Sequence, residues 1–246
     1  MKETRLLMGM PIIVEMLDED VTAQVIESVF GYFAQVDETF STYKENSEIS
    51  RLNRGEIDQA HCSPVVREVL ALCEETRRQT DGFFDVSRDG YIDPSGLVKG
   101  WAIQQAAERL NASGWRDFYI DAGGDVQACG LNDNRPWRVG IRNPFRHEEI
   151  VKVLAISNHG VATSGTAIRG QHIYDPFRPG APLMDILSLT VIGPNVYEAD
   201  RIATAAFAMG RQGIVFIGRL EGFEGYMIDA DGNATYTAGL ERFVAQ

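Results

Sequence analysis

The chain is short of the groups that usually announce a chemistry. Its cysteines number three, Cys62, Cys73 and Cys129, with no C-x-x-C pair. That count excludes a disulfide frame and a thiolate zinc site, and fits small buried thiols in a reducing compartment. There is no GxxxxGK[ST], no GxGxxG, no HExxH and no GxSxG, so the common phosphate loops, zincin helices and nucleophile elbows are missing. No stretch approaches the roughly 20 apolar residues of a membrane span. The first ten residues show neither an apolar signal core nor a cleavage site, so the chain reads as cytoplasmic, with no membrane segment. Basic residues are scarce as well: 23 Lys and Arg face 35 Asp and Glu, a net charge of −12, with no basic stripe. Such a surface repels phosphate backbones and argues against nucleic acid as a partner. An anionic ligand would need a local cation, a metal or aimed backbone N–H groups.

What is present suffices for a packed core. Of the 246 residues, 44% are hydrophobic and 24% charged, as in ordinary folded proteins. The length fits one domain over residues 1–246, or two closely packed lobes. Residues 6–17 read as a first strand. Val25, Ile26, Val29, Phe30, Phe33 and Val36 form a helical stripe over 20–40. Ser63-Pro64 opens a second helix, with Val66, Val69, Leu70 and Cys73 inward, and Asp81-Gly82 stops it. A third helix over 97–110 ends before Gly114. Residues 118–120, 137–141, 151–156, 187–192, 214–217 and 226–228 are short β-type runs, and a helix at 198–209 interrupts them. Helices early and strands late predict an α+β fold with mixed or antiparallel sheets and packed helices.

Four constellations could carry chemistry, and each has an ordinary structural alternative. Asp93-Pro94-Ser95-Gly96 leads into a helix whose free N–H groups can face an anion, and Lys99 sits in its first turn, where a cation disfavours the helix. A solvated lysine at a loop–helix junction is the alternative. Asp200 and Thr204 stand at i and i+4, so their oxygens share a helix face and suit Mg²⁺ completed by substrate phosphates. Otherwise Asp200 is an N-cap and Thr204 bonds back to its own helix. His172, three residues before Asp175, is arranged as a general base, or else orders an Asp-Pro turn. Asp121-Ala122-Gly123-Gly124-Asp125 allows close backbone approach to a flat ring, or is a hairpin turn. Asp229-Ala230-Asp231-Gly232-Asn233 starts like a calcium loop, but its glycine is misplaced and no distal Glu follows; it reads as an Asp-Gly turn.

Together and in order, these segments resemble the FAD:protein FMN transferase (ApbE-type) family. The resemblance runs through Met8-Gly9, Phe40-Ser41-Thr42-Tyr43, Ser47-Glu48-Ile49-Ser50-Arg51-Leu52-Asn53 and Gly82-Phe83-Phe84-Asp85. It continues through residues 93–100, Gly123-Gly124-Asp125, Ala162-Thr163-Ser164-Gly165 and residues 172–176, to Ala199-Asp200-Arg201-Ile202-Ala203-Thr204. It covers about residues 6–240.

The resemblance implies an α+β fold that splits FAD and transfers FMN to a threonine hydroxyl of an acceptor protein, releasing AMP. It implies Mg²⁺ held by Asp200, Thr204 and the main-chain carbonyls of Gly96 and Ala203. FAD contacts are implied for Met8, Thr42, Tyr43, Asp85, Asp93, Lys99 and Tyr174. His172 is implied as the base, with Asp175 as a second catalytic candidate. The same site could instead pass FMN to water as an FAD pyrophosphatase, or hold FAD without turnover. The sequence departs from the family pattern at Met10, where Thr is usual, Ser95 for Gly, Asp121 for Asn, and in the run after Asp175. No lipoprotein leader is visible. These departures bear on flavin contacts, acceptor choice and location more than on the reaction.

Overall fold

A computed structural model describes residues 1–88, 90–165, 173–178 and 180–245 of the chain. The framework is an eight-stranded sheet in which every neighbouring pair runs antiparallel. Its strands are β1 (Lys2–Leu7), β2 (Met10–Met16), β5 (Phe118–Ala122), β6 (Asp125–Cys129), β9 (His159–Gly165), β10 (Ile186–Gly193), β11 (Glu224–Asp229) and β12 (Ala234–Tyr236), in that spatial order. Two small ribbons stand apart from it, β3 (Ser87–Arg88) with β4 (Tyr91–Ile92), and β7 (Trp137–Arg142) with β8 (Ile150–Ile156).

The helices are α1 (Ala23–Phe40), α2 (Glu48–Asn53), α3 (Pro64–Gln79), α4 (Ser95–Ala112), α5 (Val196–Ala208) and α6 (Gly213–Ile217). The 3.6-residue stripes are buried where expected: Ile26, Val29, Phe30, Phe33 and Val36 of α1 share one core with Val66, Val69 and Cys73 of α3. Helix α3 starts at Pro64 and ends before Asp81 and Gly82, both at positive φ (51° and 86°). Helices α4 and α5 pack against each other and against the middle of the sheet. The β7–β8 ribbon forms a separate core with Val126, Val161, Ile192 and Ile228 of the main sheet. Strand β6 is therefore covered on both faces, and all five of its residues are buried.

Two expectations need correction. Residues 6–17 are not one strand but the hairpin β1–β2, turning at Met8 and Gly9, both at positive φ (53° and 71°). Such a turn matches the strand twist, but it normally advertises itself as Asn-Gly, and methionine hid it. Residues 214–217 are not a strand but helix α6. Ile214 and Ile217 are buried three residues apart, against Gly225 of β11, while Val215 is exposed, so burial follows a helical period. The run at 229–233 is a turn joining β11 to β12, with Asp229 Oδ1 accepting the N–H groups of Asp231 (3.0 Å) and Asn233 (2.8 Å).

Candidate functional site

A cavity of about 750 Å³ opens where α4, α5, the β5–β6 turn and the tip of β7–β8 meet. Its floor comes from α4 and α5. Helix α5 is capped by Asn195, whose Oδ1 accepts the Glu198 N–H at 2.9 Å. Asp200 is thus not a cap: it lies in the helix, buried, with Oδ2 accepting the Gly100 N–H of α4 at 2.8 Å. That contact requires glycine, because a Cβ at Gly100 would lie 2.6 Å from Asp200 Cβ and 2.8 Å from the Val196 carbonyl. One turn on, the Thr204 hydroxyl donates to the Gly96 carbonyl at 3.3 Å rather than to its own helix. Asp200, Thr204 and Gly96 all line the cavity.

Lys99 is not a solvated side chain. It is 14% exposed, forms an ion pair with Asp125 and stands 3.5 Å from Asp200 Oδ1. Burial raises the Asp200 carboxyl above the ordinary carboxylate range; the Lys99 ammonium opposes this and the Asp125 charge adds to it. Asp125, the first residue of β6, is itself buried and accepts the Thr163 N–H of β9 at 3.0 Å. In the sequence Asp125 closes a Gly-Gly turn and a segment of the family resemblance, with nothing to mark it as a partner of Lys99. The turn is real, with Gly123 and Gly124 at φ 63° and 98°, and it delivers this carboxylate to a lysine 26 residues away in sequence. No local signal encodes that meeting.

The other anticipated residues divide between cavity and surroundings. Asp85, Asp93 and Tyr174 line it. Asp85 caps the Ser87 N–H (2.9 Å) and Asp93 the Ser95 N–H (3.0 Å) at the start of α4, and the Tyr174 ring lies 4.8 Å from the Arg88 guanidinium. Met8 forms the β1–β2 turn and packs on the helical core; its neighbours Gly9 and Met10 reach the cavity instead. Thr42 and Tyr43 sit beside the mouth. The Thr42 carbonyl accepts the hydroxyl of the cavity-lining Tyr91 at 3.5 Å, and Tyr43 is 97% exposed. Ala203 is buried in the α5 core.

Asp175 does not line the cavity. Its Oδ1 accepts the Phe177 N–H at 2.9 Å and its Oδ2 lies 3.7 Å from Arg178. His172 lies outside the described residues.

Several cavity residues carry no sequence signal, whereas Asp121 heads the Gly-Gly constellation. Arg88 and Tyr91 come from the β3–β4 ribbon, which Asn53 holds by giving Nδ2–H to the Ile92 carbonyl and accepting the Ile92 N–H, both at 2.8 Å. Arg142, His147 and Glu148 come from the β7–β8 tip. Asp121 lines the wall with Oδ1 on the Gly124 N–H at 2.7 Å; burial raises its carboxyl, that amide opposes the shift, and the Asp125 charge adds to it.

Among the described residues no three His, Cys, Asp or Glu side chains converge as a metal cage, and no helix is long and apolar enough to cross a membrane. Toward the cavity the floor offers oxygen from the buried Asp200 carboxylate, one hydroxyl and one carbonyl, beside an ammonium paired with a second buried carboxylate, Asp125. That set binds hard cations and phosphates.

The solved fold of the flavin transferase ApbE from Vibrio cholerae superposes with a TM-score of 0.86, at 20% identity over 99% of this chain and 98% of that one. The ApbE protein of Thermotoga maritima gives 0.84 at 18% identity, covering 100% and 99%. Among curated proteins, the FAD:protein FMN transferase of Escherichia coli K12 is 32% identical over 160 residues, 61% of this chain and 45% of that protein. The protein of the same name from Vibrio cholerae O395 is 27% identical over 213 residues, 73% and 63%. The chain thus spans about half to two thirds of the length of these relatives. The ApbE family model matches residues 8–91 and 86–227, which is most of the sequence, and the chain belongs to the ApbE family.

Proposed function

We propose that this protein is an FAD:protein FMN transferase, which cleaves the FAD pyrophosphate, joins FMN to a threonine hydroxyl of an acceptor protein and releases AMP. The observation that carries the reading is the cavity floor, where Asp200, Thr204, Gly96 and Lys99 gather at the start of α4. Relatives bearing that activity in their names support it.

The residues present fit Mg²⁺. Two buried carboxylates, Asp125 and Asp200, share one ammonium, so the floor carries an excess negative charge that a cation relieves. The donors are all oxygens, and Mg²⁺ favours few protein ligands completed by substrate phosphate. On this reading Asp200, Thr204 and the carbonyls of Gly96 and Ala203 hold the ion, which when bound neutralises the pyrophosphate charge. The chain's own groups do the rest. Lys99 supplies a fixed positive charge, and the first N–H groups of α4 face the phosphates. Tyr43, Thr42, Asp85, Asp93 and Tyr174 seat the flavin nucleotide, and Met8, packed on the helical core, holds the turn that brings Gly9 and Met10 to it. His172 accepts the threonine proton as oxygen attacks the FMN-side phosphorus and AMP leaves with the bridging oxygen; Asp175 orders the turn after it. Positioning and charge neutralisation dominate such a transfer.

Incubating the purified protein with FAD and Mg²⁺, with and without a threonine-containing acceptor peptide, tests the proposal. Flavinylated peptide plus AMP is expected. Free FMN plus AMP in both samples, or intact FAD, overturns it.

A further inference from the structure

Three charges meet at the floor, the carboxylates of Asp125 and Asp200 and the Lys99 ammonium. Asp125 spends Oδ1 on the Thr163 amide and Asp200 spends Oδ2 on the Gly100 amide, so each presents one remaining oxygen to Lys99. The ammonium does not stand midway: it is in close ion contact with Asp125 and 3.5 Å from Asp200 Oδ1. The Thr163 amide belongs to a strand tied across to β10, where Thr163 and Thr190 share a hydroxyl hydrogen bond of 2.8 Å. Each acceptor is thus anchored by one backbone amide, and the ammonium sits on the Asp125 side.

We infer that Asp125 is a positioning residue that draws the Lys99 ammonium off Asp200, leaving the Asp200 carboxylate free to take a divalent cation. The inference rests on Asp200, Thr204 and Gly96 being the cation site. Without Asp125, Asp200 is the carboxylate left beside Lys99 among the described residues; the ammonium closes on it, and a cation must then displace that ammonium from a buried pair. With Asp125 present, both positive charges have a partner. Gly100 and Thr163 fix the two carboxylates from backbone, so neither can follow the lysine.

The test is Mn²⁺ binding to the purified protein without FAD, followed by the paramagnetic resonance of the free ion. Asp125→Asn keeps an oxygen for the Thr163 amide and is expected to weaken Mn²⁺ binding by about tenfold or more, the scale of one neighbouring charge in a partly buried site. Lys99→Met added to Asp125→Asn is expected to restore affinity to near the wild-type value, because no ammonium then competes for Asp200. Lys99→Met alone is expected to bind Mn²⁺ more tightly than wild type, and keeps the idea testable if Asp125→Asn misfolds. Asp121→Asn removes a nearby carboxylate held by the Gly124 amide, and a shift of less than about threefold is expected if position rather than summed charge matters. Unchanged binding in Asp125→Asn, no recovery in the double variant, or Lys99→Met binding no tighter than wild type overturns the inference while leaving the cation site standing. Wild-type protein that takes up no Mn²⁺ overturns the cation site and the inference with it.

Discussion

The floor and the rim of the cavity are built on opposite principles. The floor is two helices locked side by side: Gly100 lets α4 touch α5, Asp200 bonds across to it, and Thr204 reaches Gly96 one turn away. Its two carboxylates, Asp125 and Asp200, are buried, Lys99, Thr204 and Gly96 are half-buried, and each side chain is held by a backbone or charge partner. The rim is made of turns and two small ribbons outside the main sheet, and carries exposed groups such as Tyr43 and Tyr91. A rigid floor suits charge placement, where a misplacement of an ångström is costly, and under the proposed function an exposed rim suits recognition of a large nucleotide and a protein acceptor. Substitutions in the floor should cost chemistry or folding, and those in the rim should cost affinity.

The largest effect is expected from Asp200→Asn. The amide can still accept the Gly100 N–H, so the fold should persist, but the carboxylate charge is lost. Turnover should fall by about 10²–10³-fold, the scale of removing one preorganised electrostatic group, while the FAD dissociation constant moves only a few-fold. Single-turnover rates beside flavin fluorescence titration measure both. Equal losses in rate and affinity would erase the division between floor and rim.

Gly100→Ala comes next. Alanine is the better helix former by about 1 kcal/mol, so an uncrowded site would gain stability. Here the added methyl would sit 2.6 Å from Asp200 Cβ, with the Val196 carbonyl 2.8 Å away. Overpacking of this kind costs about 2 kcal/mol net. In a chain of this length that is a fall of about 4–8 °C in melting temperature, together with lost activity. A neutral or stabilising result by calorimetry would show that α4 and α5 can slide apart.

How much of this the sequence reveals follows the same divide. The i/i+4 pair Asp200 and Thr204, and Lys99 in a first turn, are local patterns on helices, and helices α1, α3, α4 and α5 show their buried faces in sequence. Strand β6 is buried on both faces, so no alternation marks it, and the run Asp125-Val126-Gln127-Ala128-Cys129 resembles a loop. Its Asp125 meets Lys99 only because the sheet brings β6 beside α4. Residues 214–217 show the converse: an apolar run that reads as a strand forms a helix, with Ile214 and Ile217 buried, Phe216 packed beside them and Val215 exposed. Position along the chain reveals residue pairs within a turn of helix, and tertiary neighbours stay hidden.

Asn53 pins the β3–β4 ribbon of the rim, and Asn53→Ala should release it. Two hydrogen bonds to Ile92 are lost, at about 1 kcal/mol each, and some of that returns through water because the site is only partly buried. A loss of about 1–2 kcal/mol in stability and a several-fold weaker FAD affinity are expected, with the Mn²⁺ affinity of the floor unchanged. Denaturant titration and cation binding on the same preparation distinguish this from a general loosening, in which the floor would weaken too.

The smallest effect, and the sharpest test of the division, belongs to Tyr43. Its ring is 97% exposed, so removing it exposes no core and leaves no cavity. The loop that carries it is held by other groups: the Ser47 and Ser50 hydroxyls both donate to the Ser41 carbonyl, at 2.5 and 3.3 Å, and the Tyr43 N–H itself donates to the Ser41 hydroxyl at 3.2 Å. Tyr43→Ala should therefore leave stability within about 0.5 kcal/mol of wild type, as for exposed positions generally. An aromatic kept this exposed beside a cavity mouth gains its worth only when a flat ring lies on it. Stacking of that kind is worth about 0.5–1.5 kcal/mol, so FAD should bind about two- to tenfold more weakly, and Tyr43→Phe should recover the affinity because the face rather than the hydroxyl does the binding. Turnover at saturating FAD should be unchanged, since the floor is untouched. A drop in melting temperature without any change in FAD affinity would assign Tyr43 to the fold and not to the flavin.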